Sequence, residues 1–124
     1  MVTRIAINGF GRIGRLVLRA LEESKRKDLK VIAINDLGSA EFNAHLFEYD
    51  SNHGKFNGNI NVSRNSFIIG SNQIKVFSER DPKNLPWKKL KIDILLECTG
   101  IFTKRADAIK HISAGAKKVL VSAP

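Results

Sequence analysis

A glycine-rich turn between an apolar strand and a helix constrains this chain more than any other feature. Residues Thr3 to Asn8 have the composition of a short buried strand, and the run from Gly11 to about Lys25 carries apolar residues at helical spacing. The segment between them, Gly9-Phe10-Gly11-Arg12-Ile13-Gly14, fits the pattern G-x-G-x-x-G in the strand–turn–helix context that the pattern requires. The turn therefore predicts a βα unit at the start of a parallel sheet.

The three glycines of this turn meet three different steric demands. Gly9 permits a tight turn, Gly11 lets a pyrophosphate approach the backbone, and Gly14 lets the helix pack closely on the strand. The helix N-terminus adds N–H groups and roughly half a positive charge. The hexapeptide predicts a dinucleotide site, although a glycine-rich turn without a ligand explains it almost as well when it is taken alone.

The order of the other elements predicts the fold class. The pattern indicates strands at 30–35, 93–98 and 118–121, helices at 39–49 and 104–114, and three β-rich pieces between residues 59 and 79. This order is β-α-β-α-(β meander)-β-α-β, with strands that are apolar on both faces. We predict an α/β, Rossmann-type doubly wound and mainly parallel sheet with an antiparallel β meander insertion, as one domain over residues 1–124.

Helical spacing also predicts which side chains face the core. The expected inward residues are Ile13, Leu16, Val17, Ala20 and Leu21 in the first helix, Phe42, Leu46 and Tyr49 in the second, and Ala108, Ile109 and Ile112 in the third. Ser39 is expected to cap the second helix.

An acidic residue after the second strand predicts which dinucleotide binds. Asp36 lies 22 residues after Gly14, close to the spacing of the carboxylate that accepts hydrogen bonds from a ribose. The same charge repels a 2′-phosphate, and neither Leu37 nor Gly38 supplies a compensating cation. The sequence therefore favours NAD over NADP.

Polar and small residues follow two further strands. Thr99, Gly100 and Ser122 come directly after the strands at 93–98 and 118–121, and ligands bind outside the carboxyl ends of such strands. We expect these residues to point toward one crevice, with Arg80 along its adenine side.

Composition narrows the function classes. The chain has a net charge of +9, which favours phosphate-bearing partners, although scattered lysines and arginines are typical of a solvated surface. It has one cysteine, no apolar run long enough for a bilayer and no secretory or transit segment at its start, so we expect a cytoplasmic protein. We find no hydrolase triad and no metal-ligand spacing, and interpret Cys98 and Trp87 as packed residues and His45 as a residue beside an apolar face.

Six segments resemble the glyceraldehyde-3-phosphate dehydrogenase family in order and spacing. They are "INGFGRIGR" at 7–15, "AIND" at 33–36, "YDSNHGKF" at 49–56, "ERDP" at 79–82, "ECTGIFT" at 97–103 and "GAKKVLVSAP" at 115–124. The resemblance implies NAD-dependent, phosphorylating oxidation of glyceraldehyde 3-phosphate to 1,3-bisphosphoglycerate in glycolysis, by a cytoplasmic homotetramer. It also implies residue roles: Arg12 and Ile13 contact the pyrophosphate through their backbone, Asp36 holds the adenosine ribose, Arg80 contacts the adenine through its main chain, Thr99 lies beside the adenine ribose, and Ser122 lies toward the nicotinamide.

One departure from the family pattern limits this expectation. The family's nucleophilic cysteine belongs to a Ser-x-Ser-Cys-Thr-Thr-Asn block that this chain does not contain, and Cys98 does not match it. We therefore expect an amino-terminal cofactor domain without its catalytic domain, inactive alone and prone to self-association through a bare sheet edge.

Two alternatives stay open at this point. Erythrose-4-phosphate dehydrogenase is a close relative, whose members tend to carry Glu at the position of Asp36 and His at that of Ala123. A stand-alone nucleotide-binding or nucleic-acid-binding module is the other alternative, and its binding to nucleic acid should weaken steeply with salt.

Overall fold

A computed structural model describes residues 2–24, 26–50, 54–55, 60–63, 65–69, 72–100 and 105–122 of the chain. The strands are β1 (Thr3–Asn8), β2 (Leu29–Asn35), β3 (Tyr49–Asp50), β4 (Gly54–Lys55), β5 (Ile60–Ser63), β6 (Ser66–Ile69), β7 (Asn72–Phe77), β8 (Ile94–Glu97) and β9 (Lys118–Val121). The helices are α1 (Arg12–Ser24), α2 (Ala40–Glu48) and α3 (Arg105–Ser113), with a 3-10 helix at Pro82–Asn84. Lys104, Ala123 and Pro124 lie outside the described residues.

Seven strands form one mixed sheet in the order β5-β6-β7-β2-β1-β8-β9. The strands β7, β2, β1, β8 and β9 form a parallel run in this order. The strand β6 pairs in antiparallel fashion with β5 on one side and with β7 on the other. The predicted doubly wound sheet with a β meander insertion is confirmed. The short antiparallel pair β3–β4 is an element that the sequence analysis did not predict.

The order of strands reverses beside β1. The chain first adds β2 on one side of β1, and after β7 it crosses over to add β8 on the other side. Such a reversal opens a crevice at the carboxyl ends of the two strands, because the loops that follow them lead away in opposite directions.

Two apolar layers cover the two faces of the sheet. Helices α1 and α2 bury Leu18 and Phe47 against one face, while Trp87 and Ile92 pack on the other face. In β1, Ile5 and Ile7 belong to the first layer and Ala6 to the second. Residues 31–35 of β2 are all buried, which confirms that this strand is apolar on both faces apart from its last residue, an asparagine.

The predicted inward faces of the helices are partly wrong. In α1 the fully buried side chain is Leu18, while Ile13 is 47% exposed and Ala20 is exposed. The side of α1 that packs on the sheet is the side of Gly14 and Leu18. Its rotation is set by Gly14, which lies against the Gly9 carbonyl. The spacing of the apolar residues in α1 does not by itself distinguish this inner face from one displaced by one residue along the helix.

Similar displacements occur in the other two helices. In α2 the buried residues are Ala40, Asn43, Ala44 and Phe47. Phe42 of this helix, and Tyr49, which directly follows it, are at least half exposed. Ser39 caps α2 as predicted, because its hydroxyl accepts a hydrogen bond from the Phe42 amide at 3.0 Å.

In α3 the buried residue is His111, and the predicted inward residues Ile109 and Ile112 are 48% and 44% exposed. His45 of α2 is exposed and lies against the Tyr49 ring, so its packing on an apolar face is also corrected. His111 occupies the inner position of α3 because its ring forms hydrogen bonds with Trp87 and Glu97 there. A pattern of apolar residues does not indicate such polar contacts.

The buried face of α1 gives a test of the fold. Leu18→Ala should lower the free energy of unfolding by about 2–5 kcal/mol, because it leaves a cavity in the layer under α1. Leu120→Ala, the same change at a side chain that is 58% exposed, should change it by about 0.5 kcal/mol or less. Urea denaturation measures both, and equal losses would contradict the packing described here.

Candidate functional site

The turn between β1 and α1 is built from backbone contacts that leave no room for side chains. Gly9 has a φ of +88°, and a Cβ atom there would lie 2.7 Å from the Thr99 amide nitrogen. A Cβ atom on Gly14 would lie 2.7 Å from the Gly9 carbonyl oxygen. Both glycines are therefore required by close approach, one between β1 and the loop after β8 and the other between β1 and α1.

Gly11 differs from Gly9 and Gly14 because a Cβ atom on Gly11 would meet nothing within 4 Å. Its carbonyl accepts a hydrogen bond from the Arg15 amide at 2.9 Å, so Gly11 is the N-cap residue that directly precedes α1. The N-terminal end of α1 thus opens next to bare backbone, and it carries the partial positive charge of the helix dipole.

A cavity of about 470 Å³ lies at the carboxyl ends of β1, β2 and β8, and is called the strand-end cavity here. Its lining residues come from four loops: Asn8, Gly9, Gly11, Asn35, Asp36, Leu37, Glu79, Arg80, Cys98 and Thr99. It occupies the crevice that the reversal of strand order opens, and a volume of this size is typical of a small-molecule site.

Asp36 is held in place by two backbone amides. Its Oδ1 atom accepts a hydrogen bond from Phe10 N at 3.0 Å, and its Oδ2 atom accepts one from Gly38 N at 2.9 Å. Each carboxylate oxygen can accept a second hydrogen bond. The carboxylate is half-buried and lines the strand-end cavity, so it can bind a pair of neighbouring hydroxyl groups.

A second carboxylate, Glu97, is buried at the end of β8 and accepts hydrogen bonds from four donors. Oε1 accepts from Asn8 Nδ2 at 2.6 Å and is 2.9 Å from His111 Nε2. Oε2 accepts from the Thr99 amide at 2.9 Å and from the Thr99 hydroxyl at 2.5 Å. Burial disfavours its charge, but the hydrogen bonds from His111, Thr99 and Asn8 outweigh burial, so the pKa of the Glu97 carboxyl lies below its ordinary value.

Trp87 fixes the orientation and tautomer of His111. The indole Nε1, which can only donate, lies 3.1 Å from His111 Nδ1. Nδ1 therefore accepts, and the proton of the neutral imidazole sits on Nε2, from which it is donated to Glu97. Both rings are fully buried and stack with their centroids 6.5 Å apart.

Two buried asparagines extend this network along the carboxyl ends of the strands. Asn35 Nδ2 donates to Asn8 Oδ1 at 2.7 Å and to the Glu79 carbonyl at 2.8 Å. The Glu79 amide donates back to Asn35 Oδ1 at 2.8 Å. Hydrogen bonds thus join the loop that carries Arg80 to the loop that carries Thr99.

Cys98 lines the cavity but is a poor nucleophile. Burial, and secondarily the negative charge of Glu97, raise the pKa of the Cys98 thiol to about 11. A thiol of this kind is almost wholly protonated at neutral pH. The interpretation of Cys98 as a packed strand-end residue agrees with this environment.

The structure brings five of the eight predicted site residues into the strand-end cavity: Gly9, Gly11, Asp36, Arg80 and Thr99. Arg12 and Ile13 form the first turn of α1 beside Gly11 and are exposed. Ser122 follows β9, where it is exposed and its amide donates to the Glu97 carbonyl at 2.9 Å. Neither Ser122 nor Gly100 is among the residues that line the cavity.

The buried polar network was not predicted from the sequence. Asn8, Asn35 and Glu97 each end an otherwise apolar strand, and that repeated position is the signal that could have revealed them. His111 gave no such signal, because the apolar residues around it in α3 suggested a different inner face.

A parallel sheet that reverses its strand order beside a glycine-lined cavity defines a class, the dinucleotide-binding α/β domains of Rossmann type. Sequence comparison gives the particular family. Residues 3–105 match the family described as "Glyceraldehyde 3-phosphate dehydrogenase, NAD binding domain". The chain belongs to this NAD-binding domain family, and its cofactor is NAD.

Similar curated proteins carry the same family name. The chain is 58% identical to glyceraldehyde-3-phosphate dehydrogenase of Xanthobacter flavus over 124 residues, which is 100% of this chain and 37% of that protein. It is 55% identical to the protein of that name from Clostridium pasteurianum over 123 residues, which is 99% of this chain and 36% of that protein. The Pseudomonas aeruginosa protein of that name is 56% identical over 125 residues, with coverages of 100% and 37%. The chain thus spans about 37% of the length of these relatives.

The residues present fit NAD. Gly11 offers bare backbone with 4 Å of clearance, next to the positive end of α1, and Asp36 offers acceptor atoms on the same cavity. Among the described residues, no group of three or more acidic, cysteine or histidine side chains could hold a metal ion. Nor does any helix in the described part of the chain have the length and apolarity to cross a membrane.

The two glycines at the cavity should respond differently to the same substitution. Gly9→Ala should destabilise the fold by about 3 kcal/mol or more, because it adds backbone strain to an overlap with Thr99. Gly11→Ala should cost about 1 kcal/mol or less, since only the start of α1 is affected. Urea denaturation of both variants measures the difference. Equal stabilities would contradict the close approach at Gly9.

Proposed function

We propose that the strand-end cavity is the NAD site and that the turn at Gly9 and Gly11 receives the pyrophosphate. Backbone amides at Arg12 and Ile13 stabilise its charge together with the dipole of α1. The observation that carries this proposal is the clearance at Gly11, where a side chain would stand in the space of the ligand.

Asp36 and Arg80 form the adenosine end of the proposed site. The second acceptor positions of the two Asp36 oxygens suit the 2′- and 3′-hydroxyls of a ribose. Arg80 contributes main-chain contacts to the adenine, and its loop is held to β2 by the paired hydrogen bonds between Glu79 and Asn35. The support for this orientation is that both residues line the same cavity.

Thr99 and Ser122 extend the proposed site along the sheet. Thr99 lies beside the adenine ribose in the proposed arrangement, and Ser122, after β9, lies toward the nicotinamide. NAD supplies a nicotinamide ring that accepts a hydride. This chain's own residues bind and orient the coenzyme, and Cys98 is a poor nucleophile because its thiol is protonated at neutral pH.

We further propose that the chain is the NAD-binding part of a glyceraldehyde-3-phosphate dehydrogenase. The proposed reaction is oxidation of glyceraldehyde 3-phosphate with phosphate and NAD to 1,3-bisphosphoglycerate, in cytoplasmic glycolysis and in a homotetramer. The support is the shared family name of relatives that are 55–58% identical over almost the whole chain. Catalysis then depends on residues that belong to the other part of such an enzyme.

Coenzyme preference tests the role of Asp36. The unmodified chain should bind NAD more tightly than NADP, because the carboxylate repels a 2′-phosphate. Asp36→Ala should weaken NAD by about tenfold and reduce the preference, since Arg80 lines the same cavity and can then attract the phosphate. Isothermal titration of both coenzymes measures the change. Equal affinities of the unmodified chain for NAD and NADP would contradict this role.

Salt dependence separates this proposal from nucleic-acid binding by the basic surface. NAD affinity should change little between low and moderate salt, because its contacts are mainly hydrogen bonds to backbone. Binding of an oligonucleotide through lysines and arginines should weaken steeply as counterions are released. Glu23→Gln, which removes a negative charge from an exposed carboxylate of α1, is the control for Asp36→Ala and should leave the affinities for both coenzymes unchanged.

The chain alone should not catalyse the dehydrogenase reaction. Cys98 is its one cysteine, and a thiol with a pKa near 11 is ionised to only about one part in ten thousand at pH 7. Incubation with glyceraldehyde 3-phosphate, phosphate and NAD should give no increase in absorbance from NADH. Any turnover by the purified chain would contradict this prediction, and its persistence or loss in Cys98→Ser would show whether another group or Cys98 itself is responsible.

A further inference from the structure

The Glu97 carboxylate uses its full capacity for hydrogen bonds. A carboxylate has about four acceptor positions, and the side chains of Asn8 and His111 and the amide and hydroxyl of Thr99 supply four donors. The side chain is 1% exposed, so water does not contribute to this arrangement. Glu97 therefore ties Thr99, at the wall of the cavity, to the interior of the domain.

The other side of the carboxylate is anchored rigidly. His111 reaches Glu97 from α3, and Trp87 holds His111 in the tautomer that donates to Glu97. Both aromatic rings are fully buried, so the anchor lies away from the cavity. Trp87 and His111 do not line the cavity, so they act on ligand binding through the side chains that His111 approaches. These are Glu97, at 2.9 Å, and Asn8, whose Nδ2 lies 3.4 Å from His111 Nε2.

We propose that Glu97, held by His111, is a positioning residue for the coenzyme, which acts by fixing Thr99 at the wall of the strand-end cavity. This inference rests on the proposed function, in which Thr99 contacts NAD. The two hydrogen bonds to Thr99 fix both its backbone and its χ1 rotamer. The Thr99 hydroxyl donates its hydrogen bond to Glu97 Oε2, so toward a ribose hydroxyl its oxygen can act only as an acceptor.

Replacement of Glu97 by glutamine breaks this arrangement selectively. A glutamine has one carbonyl oxygen and one amino group, so its amino group must face either the donors of Asn8 and His111 or the two donors of Thr99. The orientation with the amino group toward Thr99 is the less costly one, because the Thr99 hydroxyl can turn and accept, whereas Asn8 Nδ2 and His111 Nε2 only donate. The variant therefore keeps the size of the side chain while it breaks the hydrogen bond from the Thr99 amide. Thr99→Val removes the hydroxyl and keeps the branched shape.

A double-mutant cycle with NAD as the titrated ligand tests the inference. Glu97→Gln and Thr99→Val should each raise the Kd for NAD by about threefold to tenfold. The double variant should bind about as well as Thr99→Val alone, because Glu97 acts through Thr99. Glu23→Gln, at an exposed site, should leave the Kd unchanged. If the increase in Kd of the double variant equals the product of the increases of the two single variants, Glu97 acts independently of Thr99 and the positioning role is overturned.

A measurement on the unmodified chain covers the case in which Glu97→Gln fails to fold. The Thr99 amide donates to a buried carboxylate, so its hydrogen exchange should be slowed by about a hundredfold or more relative to an open peptide. Exchange at the rate of an open peptide would overturn the inference. A chain that protects Thr99 but has no affinity for NAD would overturn the proposed function instead, so the two failures are distinguishable.

Discussion

The chain passes so closely between the loop at Thr99 and the start of α1 that only glycine fits at positions 9 and 14. This close approach decides the rest of the site. It brings the N-terminus of α1 to the carboxyl ends of β1 and β8, where the strand order reverses. The space that remains is lined by backbone at Gly9 and Gly11, and backbone amides with a helix dipole are what a diphosphate requires.

Burial of the Glu97 carboxylate under the cavity costs free energy of hydration, and its hydrogen bonds to the protein offset this cost. A carboxylate such as Glu97 loses water when it is buried, and a single missing donor would leave part of its charge uncompensated. Four donors satisfy it, and the pKa of its carboxyl falls below the ordinary value despite burial. Because the donors belong to β1, α3 and the loop after β8, the interaction that satisfies the charge also fixes these parts of the chain relative to one another. The polar residues at the ends of β1, β2 and β8 thus hold the cavity in shape.

Much of the fold could be predicted from the sequence because it depends on local patterns. Strand β2, apolar on both faces, indicated a sheet covered on both sides, and the glycine turn indicated the first βα unit. The helix faces were harder to predict, since a stripe of apolar residues allows a rotation by one position. In α1 that rotation is set by the contact of Gly14 with the Gly9 carbonyl, and in α3 it is set by the polar partners of His111. Both are long-range contacts that periodicity does not contain.

The residues of the site also fall into two groups, those that sequence spacing predicts and those that only the folded chain brings together. Gly9, Gly11 and Asp36 follow from spacing and from the chemistry of a diphosphate and a ribose, and all three line the cavity. Glu97 and His111 are 14 residues apart in sequence, and only the folded chain brings them to 2.9 Å. The most direct test is a titration of the ¹⁵N-labelled chain with NAD, followed by NMR. Amide resonances should shift at Gly9, Gly11, Asp36 and Thr99, while those of the exposed edge strand β9 up to Val121 should stay in place. Shifts spread over the basic surface, with none at the glycine turn, would contradict it.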